Sequence, residues 1–136
     1  MSYLVDTNVI SELRKGPRCD ASVAAWWSSV AAEDIYLSVL TIGEIRKGIE
    51  NIRRRDGRSA ESLERWLRSI IVDHAERILP IELDTVEEWG RMNAPDPLPV
   101  IDSLMAATAK VQSLTLVTRN LPDIARTGVA ALNPWS

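Results

Sequence analysis

Short apolar runs alternate along the chain with segments in which apolar residues recur every three or four positions. The short apolar runs predict strands, and recurrence at every third or fourth position is the spacing of one face of a helix. The predicted strands cover residues 3–5, 35–39, 78–81 and 114–117. The predicted helices cover residues 9–13, 21–32, 44–52, 60–75, 85–93 and 100–113, with Asp84 as a helix cap.

Breaks in this pattern come at Gly16-Pro17, at residues 53–58 and at the proline-rich loop of residues 94–99. Strands that alternate with helices predict a parallel α/β sheet. The chain shows no internal repeat, low-complexity tract or linker, and 136 residues are the size of one ordinary domain. We therefore expect a single α/β domain over residues 1–136.

Composition limits the chemistry that the chain can perform. No apolar run approaches the roughly 18 residues of a membrane span, and the start lacks a signal-peptide pattern, so we expect a soluble, cytoplasmic protein without membrane partners. Cys19 and His74 are the only cysteine and histidine, too few for a zinc site or for a Ser-His-Asp or Cys-His nucleophile. Any metal must be held by oxygen.

The net charge of −3 argues against a protein that coats nucleic acid nonspecifically. It does not exclude a nuclease, because an acidic active site is compatible with a local basic patch. Six of the sixteen Lys and Arg residues lie in the thirteen positions 46–58. They are equally typical of a solvated helix end or of a binding surface. The candidates for RNA or partner contact are Arg46, Lys47, Arg53, Arg54 and Arg55.

Acidic residues follow three predicted strands. Asp6 comes directly after the first strand, Glu44 lies about one turn into the helix after the second, and Asp123 lies five or six residues beyond the last. Because ligands bind beyond the carboxyl ends of parallel strands, we expect these three acids to share one rim. Asp102 is enclosed by apolar neighbours in its helix, where an isolated buried carboxylate is costly. We expect it to join the same pocket.

Several carboxylates at one site favour a metal ion, since like charges otherwise repel each other. Their hard oxygens suit Mg²⁺ or Mn²⁺, which activate water for phosphodiester hydrolysis. The alternative role of Asp6 is a helix N-cap. The alternative for Glu44 and for Asp123 is a negative charge in the first turn of a helix, where the helix dipole favours it. Asn120 is the alternative to Asp123 as the fourth residue of the metal site. Thr118 and Asn8 are candidates to donate hydrogen bonds to the carboxylates without binding the metal.

Four blocks of sequence resemble PIN-domain ribonuclease toxins of type II toxin-antitoxin systems, of the VapC/FitB type. They cover nearly the whole chain in family order, and together they are a specific signal. The blocks are Val5-Asp6-Thr7-Asn8-Val9-Ile10-Ser11-Glu12-Leu13, Ser38-Val39-Leu40-Thr41-Ile42-Gly43-Glu44-Ile45, Asp102-Ser103-Leu104-Met105-Ala106-Ala107-Thr108-Ala109, and Leu116-Val117-Thr118-Arg119-Asn120 with Asp123.

The resemblance implies that Asp6, Glu44 and Asp102 are the invariant metal-site acids and that Asp123 is the more variable fourth. Where the family commonly has Phe after that last acid, this chain has Ile124. The resemblance further implies a three-layer α/β/α fold, a homodimer, and neutralisation by an antitoxin whose C-terminal segment covers the acidic pocket.

We therefore predict an Mg²⁺- or Mn²⁺-dependent endoribonuclease that is the toxin of such a module. One alternative is a non-catalytic PIN-fold module that binds RNA or a partner. A metal-dependent phosphatase of the haloacid-dehalogenase type is a weaker alternative, because that chemistry needs a second Asp where this chain has Asn8.

Overall fold

The computed structural model describes residues 1–135. In this range the strands are β1 (Tyr3–Val5), β2 (Ile35–Ser38), β3 (Ile78–Leu79), β4 (Thr115–Val117) and β5 (Ala131–Leu132). The α-helices are α1 (Thr7–Leu13), α2 (Ala21–Ser29), α3 (Val39–Arg53), α4 (Gly57–Asp73), α5 (Leu83–Met92), α6 (Val100–Val111) and α7 (Leu121–Ile124).

All strand pairings in the described chain are parallel, and the sheet has the order β3-β2-β1-β4-β5. The chain builds outward from β1 through β2 to β3, and then returns to the other side of β1 to form β4 and β5. Such a reversal leaves a crevice at the carboxyl ends of the central strands, which is where open α/β sheets bind ligands. The crevice lies beyond β1 and β4.

Alternation along each strand produces two hydrophobic cores. Val5, Leu37 and Val117 point to one face and pack with residues of helices α1 to α4. Leu4 and Leu116, their direct neighbours, point to the other face and pack with residues of α6 and α7. Successive side chains of a strand point to opposite faces, so a short apolar run serves both cores. The result is the predicted three-layer α/β/α arrangement.

The structure corrects the sequence predictions at several element ends. Helix α2 ends at Ser29 rather than at residue 32, and α4 begins at Gly57 rather than at residue 60. Asp84 is not the cap of α5: Glu82 holds that position, and the Asp84 carboxylate accepts the Thr85 N–H inside the first turn.

Strand β5 was absent from the predicted elements. It is two residues long, and it pairs with β4 in the register Leu116↔Ala131 and Val117↔Leu132. Backbone bonds from the Leu116 N–H to Ala130 and from the Thr118 N–H to Leu132 hold it in place. None of the helices in residues 1–135 is both long and apolar enough to cross a membrane.

Candidate active site

Asp6 lies where β1 passes into α1, and it is the buried member of the predicted acidic set, with 6% of its surface exposed. One carboxylate oxygen caps α1 by accepting the Thr7 N–H at 2.7 Å. The other accepts the Thr118 hydroxyl at 2.7 Å and the Asn8 amide at 3.3 Å. Asp6 can therefore cap α1 and belong to the acidic site at the same time. Thr118 and Asn8 contact the carboxylate as predicted.

Glu44 lies in the second turn of α3, partly exposed beside the same rim. The Thr7 hydroxyl donates to its carboxylate at 2.5 Å, and the Thr41 hydroxyl oxygen lies 3.0 Å from that of Thr7. A hydroxyl has one hydrogen and a carboxylate only accepts, so the hydrogen between the two threonines belongs to Thr41. Sequence reasoning did not include Thr7 or Thr41 among the site residues. Thr7 lies next to Asp6, and Thr41 lies about one helical turn before Glu44. Only the pairing of β1 with β2 brings the two threonines together.

Asp102 lies in the first turn of α6 and is partly exposed, so the prediction that it is enclosed by apolar neighbours is wrong in degree. The buried residue of this turn is Ser103. Its hydroxyl accepts the Trp89 indole N–H at 3.0 Å and donates to the Val100 carbonyl at 3.1 Å. Asn93 donates to the Trp89 carbonyl at 2.8 Å and accepts the Leu98 N–H. These bonds join α5 and the following loop to the turn that carries Asp102.

The segment after β4 carries Asn120 and Asp123. Asn120 is the N-cap of α7, and Asp123 lies exposed in that short helix. Ile124 is 3% exposed in the second core, so an apolar side chain still anchors the helix where the family commonly has Phe. Both candidates for the fourth position influence the Asp102 carboxyl, Asp123 by its charge and Asn120 by its amide.

Electrostatics join the four acids into one group. Burial, and then the charges of Asp123 and Glu44, raise the pKa of Asp102, while the Asn120 amide opposes the rise. Burial also raises the pKa of Asp6, with further increments from Asp102 and Glu44, while bonds from Thr118 and Thr7 lower it. None of the ion pairs in residues 1–135 involves these four acids. The pocket therefore carries negative charge without a neutralising side chain.

The donor set suits a hard cation. As their side chains stand, no three His, Cys, Asp or Glu residues within residues 1–135 are arranged as a ready-made metal cluster. Magnesium does not require one, because it is usually held by one or two carboxylates and several waters. Every side chain of the group offers oxygen, and the Asn8 carbonyl oxygen is buried without a hydrogen-bond partner. The residues fit Mg²⁺ or Mn²⁺ and offer no nitrogen or sulfur set.

The basic stretch divides into two groups. Arg46 binds both oxygens of Glu64 at 2.7 and 2.6 Å, and Arg53 reaches the same carboxylate at 2.9 Å. Arg53 also pairs with Glu61. These two arginines join α3 to α4, a role that the sequence prediction did not include, and their contact with RNA stays a prediction.

Lys47, Arg54 and Arg55 are exposed and form no ion pair among the described residues. Lys47 lines a cavity of about 500 Å³ together with Glu44 and Ile101. Lys47 therefore places a positive charge beside the acidic group.

A family model described as the PIN domain matches residues 3–128 of this sequence. The chain belongs to the PIN-domain family. Toxin FitB of Neisseria gonorrhoeae is 36% identical to it over 138 positions, with 97% of each chain covered. VapC ribonuclease Y4jK of Sinorhizobium fredii is 30% identical, with 97% of this chain and 96% of that protein covered.

Solved structures share the fold of this chain. The crystal structure of FitAcB from Neisseria gonorrhoeae matches with a TM-score of 0.89 at 34% identity, covering 98% of both chains. A toxin-antitoxin complex from Klebsiella pneumoniae matches with a TM-score of 0.74 at 23% identity, covering 99% of both chains. The comparisons confirm the predicted resemblance to FitB and VapC toxins and the α/β/α fold.

Proposed function

We propose that this PIN protein is the toxin of a toxin-antitoxin module and that it cleaves RNA with Mg²⁺ or Mn²⁺. The observation that carries the proposal is that Asp6, Glu44, Asp102 and Asp123 come from four separate segments and influence one another electrostatically, without an ion-pair partner among residues 1–135. Thr7 also bonds directly to both Asp6 and Glu44. The names of the relatives, a toxin and a ribonuclease that cover nearly the whole chain, support the same reading.

The residues of the chain have distinct parts in this function. A bound Mg²⁺ or Mn²⁺ supplies the acidity that activates water and the positive charge that offsets the phosphate oxygens. Asp6, Glu44 and Asp102 would hold it, with Asp123 or Asn120 as the fourth member. Thr118 and Thr7 fix the carboxylates of Asp6 and Glu44, so these groups do not have to reorganise when a cation arrives.

Phosphate contacts in the proposed complex come from the exposed cations beside the site. Lys47 lines the cavity next to Glu44, and Arg54 and Arg55 follow at the end of α3. The family resemblance implies products with 5′-phosphate and 3′-hydroxyl ends. Attack by water rather than by the ribose 2′-hydroxyl would also exclude a 2′,3′-cyclic phosphate product.

Antitoxin binding is proposed at an apolar groove that starts at Glu44. Ile45, Ile49, Leu63 and Trp66 line this groove between α3 and α4, with a volume of about 270 Å³. An antitoxin segment lying there would reach the acidic pocket at one end, in line with the covering role that the family resemblance implies.

A homodimer is proposed through α5 and the start of α6. Leu83 and Val100 are 80% and 58% exposed, and Val86 is 42% exposed on the same pair of packed helices. Exposed apolar residues in such a group are typical of an interface. Sedimentation of the wild type beside Val100→Asp tests it: the wild type should sediment as a dimer and the variant as a monomer.

The decisive experiment for the function is RNA cleavage by purified protein. Wild type, Asp6→Ala and Asp102→Ala are incubated with end-labelled structured RNA in Mg²⁺ or Mn²⁺, and again after chelation. We expect cleavage by the wild type only, ended by chelation. Asp96→Ala, an exposed acid in the loop before α6, is the matched control and should cleave normally.

Equal cleavage by all four proteins would contradict the proposal and indicate a contaminating nuclease. RNA binding without cleavage would favour the non-catalytic module. Growth arrest on expression of the wild type, but not of Asp102→Ala, tests the toxin assignment separately.

A further inference from the structure

The order of the strands places a cation on each side of the acidic group. Asp6 directly follows β1, and Arg119 lies two residues after β4, the strand beside β1. Neighbouring strands are roughly 5 Å apart, so both positions lie on the carboxyl edge of the sheet. Lys47 lies further along the chain, in the third turn of α3, and lines the cavity that also contains Glu44. Positive charge is therefore present on the β2 side and on the β4 side of the acidic group.

Arg119 is held by an aromatic ring rather than by a carboxylate. Its guanidinium carbon lies 4.7 Å from the centre of the Trp135 ring. The residue is exposed, and it forms no ion pair with the acids that the structure describes. Trp135 follows β5, whose Leu132 pairs with Val117 at the end of β4, so the ring reaches Arg119 from the next strand along the sheet.

This geometry leaves the binding groups of the arginine free. A guanidinium stacked on an aromatic ring covers one flat face, while its N–H groups point outward in the plane. Those N–H groups match phosphate oxygens in pairs. Stacking also limits the rotamers of a long side chain, so less conformational freedom remains to be lost on binding.

A polyanion that approaches the acidic group needs cations beside it, because the four carboxylates repel phosphate. Arg46 and Arg53 already bind Glu64, so the cations available on the β2 side are Lys47, Arg54 and Arg55, and Arg119 lies on the β4 side. Arg119 contributes to the lowered pKa of Glu12, but hydrogen bonds from Lys15 and from the Asp20 N–H are the larger causes, and Arg119 forms no ion pair with Glu12.

We infer that Arg119, braced by Trp135, binds a backbone phosphate of the RNA strand on the β4 side of the cleaved bond. The inference rests on the proposed ribonuclease function and adds the direction in which the RNA strand crosses the site. The strand runs across the rim from the Lys47 side, over the acids, to the Arg119 side. Arg119 is a substrate-binding residue in this scheme and takes no part in bond cleavage.

The test measures RNA binding without cleavage. Asp102→Asn protein, free of metal, is titrated with a fluorescently labelled single-stranded RNA at several salt concentrations. Adding Arg119→Ala should raise Kd about tenfold and reduce the slope of log K against log salt by about 0.7, the value for one phosphate contact with a single strand. Arg119→Lys should keep the slope, since it keeps the charge.

Two further variants separate charge from stacking. Arg65→Ala removes an exposed arginine of α4 and should leave both Kd and slope unchanged. Trp135→Ala should raise Kd while leaving the slope near that of the parent, and Trp135→Phe, which keeps a ring, should stay close to the parent. Thermal melting of each variant shows whether it is folded, and Arg119→Gln is the neutral substitute if Arg119→Ala melts early.

A slope unchanged by Arg119→Ala and Arg119→Gln would overturn the inference. If the wild type still cleaves RNA with metal in that case, the proposed function stands and only the path of the strand is wrong. If Asp102→Asn does not bind RNA and the wild type with metal does not cleave it, the proposed function itself is contradicted.

Discussion

The Thr7 hydroxyl donates a hydrogen bond of 2.5 Å to the carboxylate of Glu44, while the Thr7 N–H donates to the carboxylate of Asp6. One residue therefore orients two of the acids through two different donors. The two acids follow neighbouring strands, and Thr7 contacts both. The relative position of Asp6 and Glu44 therefore depends on the pairing of β1 with β2 rather than on either segment alone.

Replacing Thr7 tests how much that orientation contributes. Thr7→Val has the same shape without the hydroxyl, so Glu44 loses its donor. We expect kcat/KM for RNA cleavage to fall about tenfold and the Mg²⁺ concentration for half-maximal rate to rise, as for other residues that orient metal ligands. Thr7→Ser keeps the hydroxyl and should stay near wild type. Equal losses in both variants would show that packing, not the hydrogen bond, matters.

Asp102→Asn should stabilise the metal-free protein although it removes the activity. Burial and the charges of Asp123 and Glu44 raise the pKa of Asp102, so its ionised form costs folding free energy. Because the folded pKa lies above the unfolded one, this cost is present above the folded pKa and disappears as pH falls through it.

In chelator at neutral pH, the melting temperature of Asp102→Asn should therefore be higher than that of the wild type. The difference in melting temperature should shrink as pH approaches 4. Mg²⁺ should raise the melting temperature of the wild type and have a smaller effect on the variant. Asp96→Asn is the control and should melt with the wild type. A lower melting temperature for Asp102→Asn would contradict the charge repulsion inferred for the pocket.

Glu64 should make the protein sensitive to acid. Bonds from Arg46, and the positive charges of Arg46 and Arg53, lower the pKa of Glu64 to about 2. A folded pKa below the unfolded one contributes stability that is present above the unfolded pKa and is lost as pH falls towards the folded value.

Glu64→Gln should therefore lower the urea midpoint at pH 7, and the difference from the wild type should shrink between about pH 4.5 and 2. Glu61→Gln removes a more exposed partner of Arg53 only, and should change the midpoint less. The same pH profile for both variants would show that the α3-α4 ion pairs act through net charge alone.

Trp89→Phe tests the support of the turn that carries Asp102. The change removes the indole donor to the buried Ser103 hydroxyl, and one such bond contributes about 1 kcal/mol to the free energy of unfolding. Cleavage should also weaken, because the first turn of α6 is held less firmly. Trp27→Phe trims another half-buried indole, which donates no hydrogen bond within residues 1–135, and should leave cleavage unchanged. A loss of cleavage equal in both would point to general destabilisation.

Much of this fold is predictable because its apolar pattern is regular. Asp6 and Asp102 were predicted as site residues from their position at a strand end and among apolar neighbours. The metal and the roles of the four acids in cleavage stay predictions until the assays above are done.

Other features depend on partners that are distant in sequence. Strand β5 contributes only two residues, and its pairing with β4 rather than its composition makes it a strand. The sequence does not predict that Arg46 is paired, because its partner Glu64 lies eighteen positions later, on a different helix. The sequence predicts only that Thr7 lies at a helix start, because its contact with Glu44 depends on the pairing of β1 with β2. Local patterns carry no information on such pairs.

The hydrogen bond between Thr118 and Asp6 joins positions 112 residues apart, across two strands that pair only when both have been made. Asp102 and Asp123 also lie late in the chain. The first hundred residues therefore contain half of the acids, and they lack Thr118, the hydroxyl partner of Asp6. The acidic pocket is therefore complete only when the last part of the polypeptide has been made.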